Sequence, residues 1–380
     1  MKSMFLCSLF VSVFTTGLFA AEGEPVAVRS WPNGVVSIEN QWGLSLAIVP
    51  RADDKVSVPD DVDQVIVVEQ AEWGHVLSRL PNQPKTTWGR STSDSMTDAN
   101  AMTVRSMGPT MTRIDVDGVG VVVATGDLSQ NKVGDSAGDF VDVDALVLCD
   151  VGPGQMAHES VVSVVDTVNP RWGLPLAVNP DQVTGKGRTG NTFAVSASER
   201  GPEETETVLL SQTPWEMPED LAAMFDAMEK ACRKSQEVFA ELSVSQLNFQ
   251  PANGTHTPRW NAEHMMGRQL LFFSQIYHAI DPAVTVMDLN PKQMPKDYEF
   301  AHPDWDGVEE ARQMQRASDF CRRFAYLLDG IELNEKAPGS RWPSLRALLV
   351  QMQKHYGEHT ANTQKKFALP GWPEASGESE

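Results

Sequence analysis

Two histidines near the end of the chain form the pattern in this sequence that is most suggestive of chemistry. His355 and His359 are four residues apart, so on a helix both imidazoles lie on one face, one turn from each other. Leu345, Leu348 and Met352 precede them on the same face, which predicts that the pair points into a core. Two buried neutral imidazoles need partners, and a shared divalent metal ion would supply them. From the spacing alone, partly exposed imidazoles or imidazoles bonded to neighbouring residues remain an alternative.

A third histidine completes a candidate metal site. His264 follows Trp260 by one helical turn in an earlier predicted helix, and metal sites in helical bundles take ligands from facing helices. We therefore predict that His264 and the later pair bind one divalent ion and leave a coordination position open. Imidazole suits Zn²⁺, Fe²⁺ and Ni²⁺, so the ion stays unspecified, and no catalytic residue is indicated. Glu263 and Glu358 flank ligand positions, either to orient the histidines or, more simply, to face solvent.

Four amphipathic segments are predicted to position these histidines. Each has apolar residues at helical spacing together with start or stop signals, and Asn261 is predicted to cap the second. Their number and length indicate an up-down four-helix bundle. The predicted helices cover residues 218–242, 261–279, 307–329 and 343–367.

The first half of the chain has the composition of a different fold class. Short β-branched runs alternate with glycine, proline, asparagine and aspartate turns, which indicates α/β or α+β layers. Asp117 and Gly118 predict a hairpin turn, residues 85–108 are predicted to be loop, and residues 73–79 and 158–168 to be helical. The predicted strands cover residues 35–39, 44–49, 64–69, 112–115, 119–124, 145–149, 174–178 and 192–196.

The second half resembles the DinB-like proteins over about residues 218–367. The resemblance lies in LNFQP at 247–251, TPRWNAEH at 257–264, LFF at 271–273 and HYGEH at 355–359. It implies a four-helix bundle with a three-histidine metal site formed by His264, His355 and His359. Many members have the first histidine two turns after the tryptophan, where this chain has Arg268. The one-turn spacing is similar to the DinB-like part of ergothioneine-type sulfoxide synthases.

The first half resembles the lactonase-like branch of the metallo-β-lactamase fold. The similar segments are residues 35–50, 115–127, 143–148 and 168–175. That family binds two metals with an H-x-H-x-D-H cluster, and His75 is the one residue here that could match it. Asp127 corresponds to the aspartate of the family's separate strand that ends in Gly-Asp. One histidine and one aspartate cannot hold two metals, so the resemblance implies a degenerate domain without hydrolytic activity. His158 is expected to be structural.

The composition and the N-terminal residues limit which partners and which cellular location can be expected. The 380-residue chain has a formal net charge of -20 and no basic run, which argues against nucleic acid and anionic membranes as partners. Residues 1–21 have the pattern of a signal peptide, with an uncleaved anchor as the alternative, so we expect a periplasmic or extracellular protein. The expected organisation is a degenerate metallo-β-lactamase-like domain at 25–212, a DinB-like bundle at 217–370 and an acidic tail at 371–380.

Three hypotheses for function follow from these patterns. The first is a metal-dependent enzyme, a transferase or hydrolase, acting on an unidentified small molecule; family members work with low-molecular-weight thiols. The second is an exported metal-binding or interaction module without catalysis, whose first domain serves for docking. The third is a helical scaffold that binds no metal. The sequence leaves open whether the chain forms a homodimer.

Overall fold

The structure, a computed structural model, describes most of the chain. The predicted signal peptide, His75, Asp127, His158 and the predicted helix at 73–79 lie outside the described residues. The described ranges are 24–50, 58, 62–67, 86–89, 96–97, 102–107, 110–125, 128, 140, 142–149, 159–176, 185–187, 190–197, 205–287 and 302–374.

The described residues of the first half form two sheets. Their strands are β1 Val26–Ser30, β2 Val36–Glu39, β3 Ser45–Val49, β4 Gln64–Val67, β5 Thr86–Gly89, β6 Met96–Thr97, β7 Met102–Ser106, β8 Met111–Val116, β9 Val119–Ala124, β10 Ala145–Leu148, β11 Trp172–Pro175, β12 Lys186–Gly187, β13 Thr192–Val195 and β14 Glu206–Leu209. The first sheet has six strands in the order β13-β1-β2-β3-β4-β5, and the second has eight in the order β12-β14-β11-β10-β9-β8-β7-β6. Both sheets mix parallel and antiparallel pairs.

The sheets pack face to face around an apolar core, with a helix on an outer face. Ile38 and Val28 from the first sheet lie in one buried cluster with Val121 and Val147 from the second. The opposite face of the second sheet packs against helix α1 (Glu159–Val168), which contributes Val161, Val164 and Val168 to a separate cluster. The mixed α and β layers predicted for this half are confirmed.

Local sequence predicted one turn correctly but missed several strands, among them β1, β12, β14 and those at residues 86–106. Asp117 (φ 48°) and Gly118 (φ 81°) form the hairpin turn between β8 and β9, where positive φ favours glycine. The prediction that residues 85–108 are loop is wrong, because β5, β6 and β7 lie there. β7 is a strand through its antiparallel pairing with β8, in which Val104 lies opposite Ile114, and this non-local contact leaves no clear period in the sequence.

Four long helices pack around one core in the second half. Helix α2 (Glu219–Phe239) contacts α5 (Gly307–Arg323) and α6 (Leu345–Gln364). Helix α4 (Pro258–Ile280) contacts the same two helices. Of the predicted inward positions of α6, Leu345, Leu348 and Met352 are buried, and His355 and His359 are half-buried. The helices are α2 Glu219–Phe239, α3 Val244–Leu247, α4 Pro258–Ile280, α5 Gly307–Arg323 and α6 Leu345–Gln364, with 3₁₀ turns at Ala325–Leu328 and Lys365–Ala368.

Helix α4 begins one turn earlier than predicted. The side chain of Thr257 accepts a hydrogen bond from the backbone N–H of Trp260, and Pro258 occupies the first turn. The prediction that Asn261 caps this helix is therefore wrong, since Asn261 lies inside the helix and is 2% exposed. Its side chain is free for another role, described below.

The strand and helix parts are in direct contact. Arg316 of α5 donates to the buried carboxylate of Glu24 (2.9 Å), and Arg323 donates to Glu39 of β2 (2.7 Å). Such paired charges fix the relative placement of two surfaces because an unpaired partner would be left buried. Among the described helices, none has both the length and the apolar content of a transmembrane span.

Candidate metal centre

Helices α4 and α6 bring the three predicted histidines together. His264, His355 and His359 each offer one ligand nitrogen, and these three nitrogens lie within 4.8 Å of one another. The ring centroids are 4.5 Å apart for His355 and His359, and 4.9 and 5.0 Å from His264 to those two. The ring planes are inclined to one another by 55° to 76°. Three non-parallel rings at similar separations can direct nitrogen lone pairs towards one point.

The spacing of the three rings is slightly wider than a bound metal requires. A tetrahedral ion with metal–nitrogen bonds of about 2.0–2.1 Å places its ligand nitrogens about 3.3 Å apart. The nitrogens of the three histidines would therefore approach one another by at most about 1.5 Å. Small rotations of the imidazole rings suffice for that movement, so the helix backbones can stay in place.

Asn261 holds His359 in one orientation. The Nδ2 atom of Asn261 donates to the hydroxyl of Thr363 at 3.1 Å, so the Oδ1 atom of Asn261 is left as an acceptor. That oxygen lies 2.8 Å from Nδ1 of His359, which must carry the proton in this bond. The Nε2 atom of His359 is then unprotonated and available as a metal ligand, the arrangement in which a hydrogen bond to one ring nitrogen fixes the other for coordination.

A stack of aromatic rings positions His264. The imidazole of His264 lies 4.3 Å from the ring of Trp260, with 10° between the planes. Trp260 also stacks on His256, with the ring centroids 3.7 Å apart and 19° between the planes. Trp260 is only 8% exposed, so it forms a fixed wall against which the His264 ring lies. One-turn spacing on α4 makes this contact direct.

The third imidazole contains an orphaned nitrogen. The buried Nδ1 atom of His355 has no hydrogen-bond partner among the residues that the structure describes. A buried polar atom without a partner costs about 1–3 kcal/mol. A bound ion and the solvent or substrate that accompanies it would remove that cost, so the donor set fits a metal.

All three imidazoles are held neutral. Burial, followed by the charges of His355, His359 and Arg268, lowers the pKa of His264 to about 3. Burial also lowers the pKa of His355 to about 4, aided by His359 and Arg268. Burial, followed by the charges of His256 and Lys366, lowers the pKa of His359 to about 4. Neutral imidazole is the form that binds metals, so protons do not compete at neutral pH.

The surrounding residues differ from what the sequence suggested. Arg268, one turn beyond His264, contributes its charge to the site and is not a ligand in the three-histidine group. Glu263 accepts a hydrogen bond from the backbone N–H of His302 (3.2 Å), and Glu358 is exposed. Asn261 is the residue whose hydrogen bond orients His359. Within the described ranges, no cysteine, aspartate or glutamate joins the group as a fourth ligand.

No protein-family model matches the chain, and no curated protein matches it. The chain is similar to a Thermotoga maritima protein assigned to the metallo-β-lactamase superfamily as a Zn-dependent hydrolase: 14% identity, 49% of this chain, 98% of that chain, TM-score 0.34. It is also similar to the metallo-β-lactamase fold protein YhfI of Bacillus subtilis: 10% identity, 50% and 98%, TM-score 0.32. A third similar structure is the metallo hydrolase Igni18 of Ignicoccus hospitalis: 14% identity, 41% and 83%, TM-score 0.28.

Proposed function

We propose that the helical part is a DinB-like four-helix bundle in which His264, His355 and His359 bind one divalent metal ion. One observation carries the proposal: three neutral imidazoles from two helices converge, with their ligand nitrogens within 4.8 Å. Zn²⁺, Fe²⁺ and Ni²⁺ all suit this donor set. In this proposal the strand part is a degenerate metallo-β-lactamase-like domain, and the chain is exported by residues 1–21.

The proposed activity is metal-dependent transfer or hydrolysis on a small molecule. A divalent ion with three histidine ligands and an open position acts as a Lewis acid and lowers the pKa of a coordinated water or thiol. The residues of this chain supply the rest: Asn261 orients His359, Trp260 orients His264, and burial keeps the imidazoles neutral. With three protein ligands the ion would keep a position for substrate, as catalytic sites do.

Metal analysis of purified protein tests the proposal. We expect about one metal ion per chain in wild type and almost none in the His355→Ala/His359→Ala double variant. His278→Ala is the matched control, because His278 is an exposed histidine of α4 that bonds the carbonyl of Val284 and lies outside the group. Circular dichroism checks that each variant folds. A folded double variant that keeps its metal would contradict the proposal.

Catalysis and metal-supported binding are separated by a second measurement. Once a substrate is found, turnover should disappear in folded His355→Ala protein. Adding metal ions back to this variant should not restore turnover. If turnover persists in that variant, the metal serves structure or partner binding, as in the module without catalysis. The same result would arise if another part of the chain performed the reaction.

A further inference from the structure

A cavity adjoins the histidine cluster at the end of the bundle where α4 begins and α6 ends. Its volume is about 460 Å³, within the range that holds small organic ligands. It is lined by residues 253–256 before α4, by Asn261, and by Asn362, Lys365 and Lys366 at the end of α6. None of the three metal-site histidines lines it, so it is a separate space.

Two shared residues connect this cavity to the candidate metal centre. Asn261 lines the cavity and also accepts the hydrogen bond from His359. His256 lines the cavity and stacks on Trp260, which in turn stacks on His264. A ligand in the cavity would therefore contact Asn261, which orients His359, and His256, which stacks on the tryptophan that orients His264.

Lys366 gives the cavity a buried positive charge. The residue is 4% exposed, and its Nζ atom donates to the backbone carbonyl of Asn362 at 2.8 Å. An ammonium has three donors, and within the described part of the chain Lys366 makes this one hydrogen bond and no ion pair with a carboxylate. Burial, followed by the charge of Lys365, lowers the pKa of Lys366. A buried cation without an anion is costly, which indicates that an anion from outside the described residues completes the site.

The other walls suit one negative charge on an organic body. The cavity lies at the N-terminal end of α4, where the helix dipole favours negative charge. The amide of Asn362 offers further donors, while Leu369 supplies an apolar surface. Two ammonium groups line the cavity, and of these Lys366 is buried while Lys365 is exposed. One buried ammonium with neutral donors matches a carboxylate, whereas phosphate sites in proteins more often use arginine.

We propose that this cavity binds the carboxylate of a small organic molecule, with Lys366 as the counter-ion. The binding itself needs only the cavity. That the bound molecule is also the substrate of the metal centre rests on the proposed function. An experiment can therefore refute the carboxylate site without refuting the metal centre, and the reverse.

Thermal unfolding with small anions tests the proposal. Metal-free and metal-loaded wild type are unfolded with acetate, succinate, citrate or inorganic phosphate, and with succinamide as a neutral analogue, at constant ionic strength. A ligand that binds the folded protein raises its midpoint. We expect at least one carboxylate, but not succinamide, to stabilise the wild type in both metal states.

Two lysine variants make the test specific. Lys366→Met keeps the length of the side chain and removes the charge, and should bind the carboxylate about tenfold more weakly or worse. Lys354→Met removes an exposed lysine of α6, outside the cavity, and should behave like wild type. No stabilisation by any carboxylate, or equal stabilisation of wild type and Lys366→Met, would overturn the proposal. Stabilisation by phosphate alone that depends on Lys366 would overturn the carboxylate assignment.

Discussion

Replacing Asn261 by leucine should weaken metal binding without removing a ligand. The substitution keeps the shape of the side chain but removes the oxygen that accepts the 2.8 Å hydrogen bond from Nδ1 of His359. The proton on Nδ1 would then be buried without an acceptor, which costs about 1–3 kcal/mol. At about 1.4 kcal/mol per factor of ten, the expected loss of metal affinity is roughly tenfold to a hundredfold.

Competition with a chelating indicator measures this loss directly. Asn261→Asp is the matched control, because aspartate keeps an acceptor at the same place, and it should bind metal at least as tightly as wild type. Asn261→Leu loses the bond to Thr363, so its thermal midpoint should fall somewhat. In Asn261→Asp the Thr363 hydroxyl can donate to the carboxylate instead, so the midpoint should fall less. If Asn261→Leu binds metal as tightly as wild type, then His359 does not coordinate through the nitrogen that this bond leaves open, and our reasoning about its orientation is wrong.

Three further predictions follow. The pKa values of the three histidines are lowered to about 3 or 4 from 6.5, so between pH 6.5 and about 4 the unfolded metal-free chain binds more protons. Its unfolding free energy should fall as pH is lowered through that window, and urea titrations should show a shallower fall in His264→Gln. Tyr356→Phe removes the buried hydrogen bond to Gln269 and should cost about 1–2 kcal/mol in urea unfolding while metal affinity stays unchanged. Gly307→Ala should destabilise by about 1–3 kcal/mol or more in the same assay, because its Cβ would lie 2.1 Å from the carbonyl oxygen of Phe239.

Much of the helical half could be predicted because its signals are local. The stripe of Leu345, Leu348 and Met352 identified the buried face of α6 and placed His355 and His359 on it. That is a property of one helix, and helical periodicity reports it directly. The convergence of His264 with that pair depends on how α4 and α6 pack, for which the sequence offered a resemblance and no periodic signal.

The residues around the histidines were less predictable. The sequence position of Asn261 predicts a helix cap, but its side chain reaches across to His359 on another helix. The stack of His256 on Trp260 joins a loop to a helix, and the burial of Lys366 depends on the same non-local packing. Such contacts leave no spacing pattern in one sequence. The strand β7 was missed for the same reason, since its pairing with β8 defines it.

X-ray absorption spectroscopy of the metal-loaded protein tests the three-histidine centre most directly. We predict three imidazole nitrogens at about 2.0–2.1 Å, with the remaining coordination completed by oxygen from solvent. The His355→Ala/His359→Ala variant should give no such spectrum. A wild-type spectrum with one imidazole or none, or with a shell closed by four protein ligands, would contradict an open metal site formed by His264, His355 and His359.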